Sequence, residues 1–120
     1  MTRPRSLSLG WSEPEHLGPE VNTDYMELFP STTDDGALYF NSDRPTGAGA
    51  WDLYRAMPAR GGFRPAAPLT GGVNTALWEF NASPQPSGAM LAFASLDPDP
   101  AAPYSDVFFS TRVGAGYAPA

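Results

Sequence analysis

The sequence predicts an all-β protein made of β-propeller blades: two four-stranded antiparallel meander units that form a partial propeller. The first observation is an internal repeat, in which Val21-Asn22-Thr23 returns as Val73-Asn74-Thr75. Glu27 returns as Glu79 at the same offset of 52 residues. The second observation is that apolar and polar residues alternate with a period of two, whereas no capped helical run is found. Repeats of about 50 residues made of short strands are typical of propeller blades.

The repeat organises the 120-residue chain as a single domain. Its two units cover approximately 21–69 and 73–120, and residues 9–17 are predicted to form an orphan outer strand before the first unit. Closed propellers contain roughly four to eight blades. Two blades therefore leave two blade faces without a neighbouring blade, and the sequence predicts part of a larger or oligomeric propeller.

Four strands are predicted in each unit. In the first unit they cover Glu27–Thr32, Ala37–Asp43, Trp51–Met57 and Phe63–Leu69. In the second they cover Trp78–Ser83, Ala89–Ser95, Ser105–Thr111 and a short segment from Tyr117. Phe40 matches Phe93 at an offset of 53 residues, which predicts a bulge or a longer turn near Met90.

Turns between these strands are predicted from glycine. Asp35-Gly36 is expected to form a tight hairpin turn in which both central residues have positive φ, and Gly88 repeats the position of Gly36. Pro65 and Pro68 place the last strand of the first unit at an edge, because a missing N–H is tolerated there.

Apolar residues that recur on one face of the second and third strands are predicted to form the core. This set contains Leu38, Phe40, Leu53, Leu91, Phe93 and Val107. Aromatic residues that follow a glycine at one repeat position are predicted to form a packing layer between blades, namely Trp11, Phe63 and Tyr117.

Composition excludes several classes of function. The formal net charge is −6, and the seven basic residues are scattered arginines, so nucleic acid is not an expected partner. The absence of cysteine excludes disulfides, thiol catalysis and cysteine zinc sites. No apolar run approaches the length of a membrane span, and no secretory signal is visible over residues 1–10.

The repeat pattern resembles the WD-repeat-like β-propeller repeats of the TolB family and of related bacterial envelope proteins. The matching residues are Val21-Asn22-Thr23, Glu27, Asp35-Gly36, Leu38–Arg44 and Asp52–Ala56. The second unit matches at Asn74, Glu79, Gly88 and Asp106, but Leu96-Asp97-Pro98 stands where the first unit has Ser-x-Arg-Pro. The resemblance implies a periplasmic propeller that binds other macromolecules, six blades in all, and no shared catalytic residue.

Five residues are candidate binding residues: Glu27, Glu79, Arg44, Trp51 and Trp78. Glu27 and Glu79 either form carboxylate ligands for a cation such as calcium at the channel mouth or accept backbone N–H groups in the joints between blades. Because every blade needs the same joint, repetition favours the second reading. Six further residues are predicted to have structural roles at repeated turns and loops: Asn22, Asn74, Gly36, Gly88, Asp52 and Asp106.

The sequence therefore favours a non-catalytic module for protein–protein interaction, with no cofactor and a protein partner. A homotrimer would supply six blades, and the 9–17 strand of one copy could complete the second blade of the next. One alternative is a metal-dependent propeller hydrolase or lactonase, with the metal held by Glu27, Glu79 and loop acids. Another is a truncated fragment without a function of its own.

Overall fold

A computed structural model describes residues 10–97, 99, 101, 105–114 and 116–118. The predicted all-β fold is confirmed: the described residues form strands and turns, and they contain no helix. Two antiparallel four-stranded sheets account for most of the structure, and each corresponds to one sequence repeat.

We call the first sheet the first blade; its strand order is β1-β2-β3-β6. It contains β1 (Glu27–Thr32), β2 (Leu38–Ser42), β3 (Asp52–Ala56) and β6 (Ala67–Pro68). Between β3 and β6 lies a separate two-stranded hairpin of β4 (Pro58–Ala59) and β5 (Gly62–Phe63).

We call the second sheet the second blade; its strands lie in the order β7-β8-β9-β10. It contains β7 (Trp78–Pro84), β8 (Met90–Leu96), β9 (Ser105–Val113) and β10 (Gly116–Tyr117). The predicted fourth strand is thus present, because β10 pairs with the end of β9 through Tyr117 and Arg112.

The predicted outer strand over Phe63–Leu69 is divided in the structure. Its first residue, Phe63, pairs with Pro58 in the hairpin with β4, and the ladder with β3 contains only Ala67 and Pro68. Pro65 and Pro68 have no N–H to donate, so a continuous ladder through this segment would lack hydrogen bonds.

The N-terminal strand predicted over 9–17 is not seen in the part of this segment that the structure describes. Residues 10–17 have no ladder partner among the described residues, and Leu9 lies outside them. The predicted packing of Trp11 is wrong, because 98% of its surface is exposed. Tyr117, at the same repeat position, is fully buried between the blades, whereas Phe63 is half-buried on the first blade.

Gly36 and Gly88 both have positive φ, at 87° and 77°, which confirms the prediction for these glycines. The predicted turn type is wrong, because Asp35 does not have positive φ. Instead the N–H of Gly36 donates to the carbonyl of Thr33, and the N–H of Thr33 donates to the carbonyl of Ala37. Gly36 closes this longer turn in the left-handed conformation that a glycine adopts without strain.

The extra residue of the second unit lies in the corresponding turn, as predicted. The N–H of Gln85 donates to the carbonyl of Met90, which closes a loop one residue longer than the Thr33–Ala37 loop. Ala89 is the added residue, and its carbonyl accepts a hydrogen bond from the N–H of Arg112 at 2.9 Å.

The first strand of each blade carries a bulge at the same repeat position. The register shifts between Leu28 and Ser31 in β1 and between Phe80 and Ser83 in β7. Phe29 and Asn81, offset by 52 residues, both have positive φ at these bulges. The shared irregularity shows that both units fold the same way even where the backbone departs from a regular strand.

The main core lies between the two blades, where each blade contributes one face. Leu53 from the first blade packs with Leu91 and Phe93 of the second, and all three are buried. A second cluster on the opposite face of the first blade contains Leu38 and Phe40. The structure therefore confirms the burial of five of the six predicted core residues. The prediction that they share one face is wrong, because Leu53 lies on the opposite face of the first blade from Leu38 and Phe40.

Val107 is the exception, since 74% of its surface is exposed. It pairs with Ala94 in β8 as Leu53 pairs with Asn41 in β2, so the two residues are equivalent. Leu53 faces the next blade along the chain and is covered by it. Val107 lies on the face of the second blade that points away from the first blade, and nothing in the described chain covers it.

Candidate functional site

Asn74 joins the two blades through its side-chain amide. Its Oδ1 accepts from the N–H of Leu53 at 2.7 Å, and its Nδ2 donates to the carbonyls of Leu53 at 2.9 Å and Leu69 at 3.1 Å. The amide therefore acts as an extra peptide group beside β3. The sequence predicts only a turn role for Asn74, whereas the structure adds this contact between blades.

Asn41 makes a second joint of the same kind. Its Oδ1 accepts from the N–H of Asn81 at 2.9 Å, and its Nδ2 donates to the carbonyl of Glu79. This amide fixes the bulge of β7 against β2. Asn41 has no close repeat in the sequence, since Ala94 is its counterpart, and sequence reasoning therefore missed it.

Asn22 occupies the repeat position of Asn74, but the structure shows no hydrogen bond of its side-chain amide among the described residues. Only its backbone N–H is paired, with the carbonyl of Gly18 at 2.8 Å. A cleft of about 160 Å³ adjoins Asn22 and is bordered by Leu17, Val21 and Phe40. The amide of Asn22 thus lies beside an apolar cleft, whereas the amide of Asn74 is bonded to β3.

Glu27 and Glu79 each form the same network with a threonine four residues earlier. The carboxylate of Glu27 accepts from the N–H and Oγ1 of Thr23, and that of Glu79 accepts from the N–H and Oγ1 of Thr75 at 2.9 and 2.7 Å. Both carboxylates thus accept a backbone N–H group in the segment that leads into the first strand of each blade, as the prediction of a structural joint requires.

Arg44 completes this joint in the first blade. Its Nη2 donates to the carbonyl of Val21 at 2.7 Å and to Glu27 Oε2 at 3.3 Å, and its Nε donates to Ser42 Oγ at 3.0 Å. The guanidinium carbon lies 5.2 Å from the ring centre of Phe40 and 4.7 Å from that of Tyr54. Arg44 is thus a buried cation held by a carboxylate, a carbonyl and two aromatic faces.

Glu79 stands in a different environment, because no arginine completes its joint. Ser95 Oγ donates to Glu79 Oε2 at 3.1 Å, and Glu79 has no exposed surface. Burial raises the pKa of this carboxyl, while the hydrogen bonds from Thr75 and Ser95 oppose the shift. The second blade therefore holds a buried carboxyl group for which the structure shows no ion pair with a described residue.

A cavity of about 320 Å³ lies beside Glu79. Its wall is mainly apolar, and the rings of Phe93 and Phe108 are stacked there with centres 5.9 Å apart. Cavities of about 300–1,000 Å³ with a few polar groups are typical of ligand sites. Sequence reasoning missed Phe108 and Ser95 as site residues. Phe108 lies opposite Phe93 and Ser95 lies opposite Asp106 in the ladder of β8 and β9, and these repeat positions are a signal that could have found them.

Replacing Glu79 with glutamine should change how stability depends on pH. A raised pKa means that the folded chain holds the proton of Glu79 more tightly than the unfolded chain. Between the ordinary glutamate pKa and the raised value, this group makes stability fall as the pH rises. Glu79→Gln removes that slope.

We therefore expect the unfolding free energy of the wild type, relative to Glu79→Gln, to be largest at acidic pH and to decrease as the pH rises. Urea unfolding of both proteins over roughly pH 4 to 8 measures this difference. A difference that is constant or that grows with pH would contradict the assignment.

Asp52 and Asp106 share a repeat position but differ in surroundings. Asp52 is fully buried, and its two oxygens accept from the N–H of Gly49 at 3.2 and 3.0 Å, which ties the loop before β3 as predicted. Burial raises the pKa of Asp52. Asp106 is exposed, and residues 102–104 of the loop before it lie outside the described residues.

Trp51 and Trp78 meet at Phe80. The ring centres lie 5.7 Å apart for Trp51 and Phe80, and 6.3 Å apart for Trp78 and Phe80. The carbonyl of Trp51 also accepts from the N–H of Glu79 at 3.1 Å. The two tryptophans selected from the sequence therefore form one half-buried cluster at the joint between the blades.

The described residues contain no group of three histidine, cysteine, aspartate or glutamate side chains arranged to hold a metal ion. His16, the one histidine of the sequence, is exposed, and its Nδ1 accepts from the N–H of Gly18 at 3.1 Å. Within the described ranges, no helix has the length and apolar character needed to cross a membrane.

Comparison of the chain with family models, with curated proteins and with solved structures found no match. The geometry of the two blades is therefore the basis for the functional argument that follows.

Proposed function

We propose that this protein is a non-catalytic protein-interaction module, similar to TolB propellers, whose two blades form part of a larger or oligomeric propeller. The observation that carries the proposal is the exposed apolar face of the second blade. Val107 and Phe109 are 74% and 67% exposed there, although Leu53 at the position of Val107 is completely buried in the first blade. Exposed apolar surface of this kind is typical of interaction sites.

The opposite side of the molecule supports the same function. Asn22 has a side-chain amide at the repeat position of Asn74, which binds β3. The cleft beside Asn22 is bordered by Leu17 and Leu38. The contact between the two blades is thus a template for a head-to-tail contact, in which Asn22 of one copy would bind the backbone at Val107 of another.

A second copy of this chain is the partner that best fits both sides. Three copies would supply six blades, and a head-to-tail contact forms a ring when its rotation closes. Because β10 already pairs with the outer edge of β9, we place the contact on the face of the blade rather than in strand addition by residues 9–17.

Sedimentation velocity over a range of concentrations tests this proposal. We expect the wild type to form a trimer and Phe109→Glu to be monomeric, because a charge would be buried on the apolar face. Ala59→Glu is the matched control, since it adds the same charge at an exposed position of the β4–β5 hairpin and should keep the trimer. A wild type that is monomeric at all concentrations, or a Phe109→Glu variant that still assembles, would contradict it.

A further inference from the structure

The joint around Glu27 and the joint around Glu79 differ in one component, because Asp97 in the second blade occupies the repeat position of Arg44 in the first. The offset of 53 residues that aligns Phe40 with Phe93 also aligns Ser42 with Ser95 and Arg44 with Asp97. The extra residue Ala89 accounts for this offset, so the alignment is fixed by the structure and not only by the sequence.

The groups that surround the Arg44 guanidinium are retained in the second blade. Val73 replaces Val21, Glu79 replaces Glu27, and Ser95 replaces Ser42 at equivalent positions. All three replacements lie in the wall of the 320 Å³ cavity.

The aromatic part of the site is also retained. Phe93 and Phe108 pair across β8 and β9 at the positions where Phe40 and Tyr54 pair across β2 and β3. The ring centres are 5.9 Å apart in the second blade and 6.0 Å apart in the first, and both pairs are stacked.

We infer that the cavity of the second blade is a binding site for a guanidinium group of another molecule, either an arginine side chain of a protein partner or a small guanidine compound. Its floor is the buried carboxylate of Glu79, and its aromatic wall is the stacked pair of Phe93 and Phe108. The first blade shows that a carboxylate acceptor, a carbonyl or hydroxyl acceptor and a π face together hold a guanidinium.

One hydrogen bond changes when the site is filled. In the first blade, Ser42 Oγ accepts from the Nε of Arg44, whereas in the second blade Ser95 Oγ donates to Glu79. A hydroxyl both donates and accepts, so Ser95 can turn toward an incoming guanidinium. Glu79 Oε2 can then accept from the guanidinium beside Thr75 Oγ1, as Glu27 Oε2 accepts from both Thr23 and Arg44. The ion pair would also favour the charged form of Glu79.

Binding is tested with Nα-acetyl-arginine amide as the probe, followed by two-dimensional ¹H–¹⁵N NMR of the wild type. We expect saturable shifts at the amides of Thr75 and Ser95. The citrulline analogue, which has the same shape without the charge, should bind at least about tenfold more weakly. The lysine analogue should also bind more weakly, because an ammonium group lacks the planar fork.

Two variants test the site itself. Glu79→Gln should weaken binding of the arginine probe by about tenfold or more. Asp97→Arg should abolish binding and raise the melting temperature, because it supplies the guanidinium from within the chain as Arg44 does. The second variant keeps the test decisive if the first does not fold.

An absence of saturable shifts in the wild type, or equal binding of the arginine and citrulline probes, would overturn the inference. An extended peptide with a central arginine distinguishes the two sources of the ligand. Tighter binding of the peptide than of the amide indicates an arginine side chain of a protein partner, and equal binding indicates a small guanidine compound. The site is separate from the exposed face that carries Phe109, so a Phe109→Glu monomer should still bind the probe.

Discussion

Replacing Phe40 with alanine should lower the free energy of unfolding by about 3–5 kcal/mol. Only 2% of the Phe40 surface is exposed, and its ring packs with Leu38 and Ala56 in the cluster on the outer face of the first blade. The same ring stacks with Tyr54 at 6.0 Å and lies under the Arg44 guanidinium. The substitution therefore removes packing and also leaves a buried cation with one aromatic face fewer.

Equilibrium unfolding in urea measures the loss, and Trp11→Ala provides the control. Trp11 is as large and as apolar as the core aromatics, but 98% of its surface is exposed. We expect its removal to change stability by less than about 0.5 kcal/mol. Similar losses for both variants would show that the core does not lie where the structure places Phe40.

Asn74→Ala should lower the free energy of unfolding by roughly 2–4 kcal/mol. The substitution deletes three hydrogen bonds at once and leaves the N–H of Leu53 without its partner. The carbonyl of Leu53 loses one of its two donors and keeps the bond from the N–H of Leu69. Leu53 is completely buried, so water cannot replace the lost amide without opening the core between the blades. The loss should appear in urea unfolding and as faster hydrogen exchange at the amide of Leu53.

Asn22→Ala is the matched control for Asn74→Ala, because both change the same residue type at the same repeat position. In the monomer, we expect Asn22→Ala to alter stability by less than about 0.5 kcal/mol, since its side chain has no hydrogen bond among the described residues. If copies assemble as proposed, Asn22→Ala should instead weaken the trimer. Equal losses in the two monomers would contradict the assigned role of Asn74.

The internal repeat was sufficient to predict the architecture from the sequence. Period-two alternation and repeated glycines are local signals, so β1 begins and ends where the pattern predicts, and Gly36 and Gly88 take positive φ. Residues on the face covered by the second blade, such as Leu53, were also predicted correctly. Local patterns determine strands and turns because strand geometry and glycine conformation depend on near neighbours.

Contacts between blades were not predictable from the same patterns. Asn41 holds β7 through a side chain that the repeat does not preserve, and Phe80 brings Trp51 and Trp78 together. The contacts of Asn41 with Asn81 and of Trp51 with Phe80 join residues far apart in the chain, and no local period indicates which amide or ring will contact which strand.

The sequence by itself determined that this protein has two blades with strands, turns and buried faces of one common pattern. Only the tertiary structure decided which of the repeated positions are covered by a neighbouring blade or occupied by a side chain. Val107 is exposed although its equivalent Leu53 is buried, and a cavity lies where Asp97 replaces Arg44. The physical reason is that burial belongs to a pair of surfaces: a residue becomes core only when another blade or another side chain occupies the space beside it.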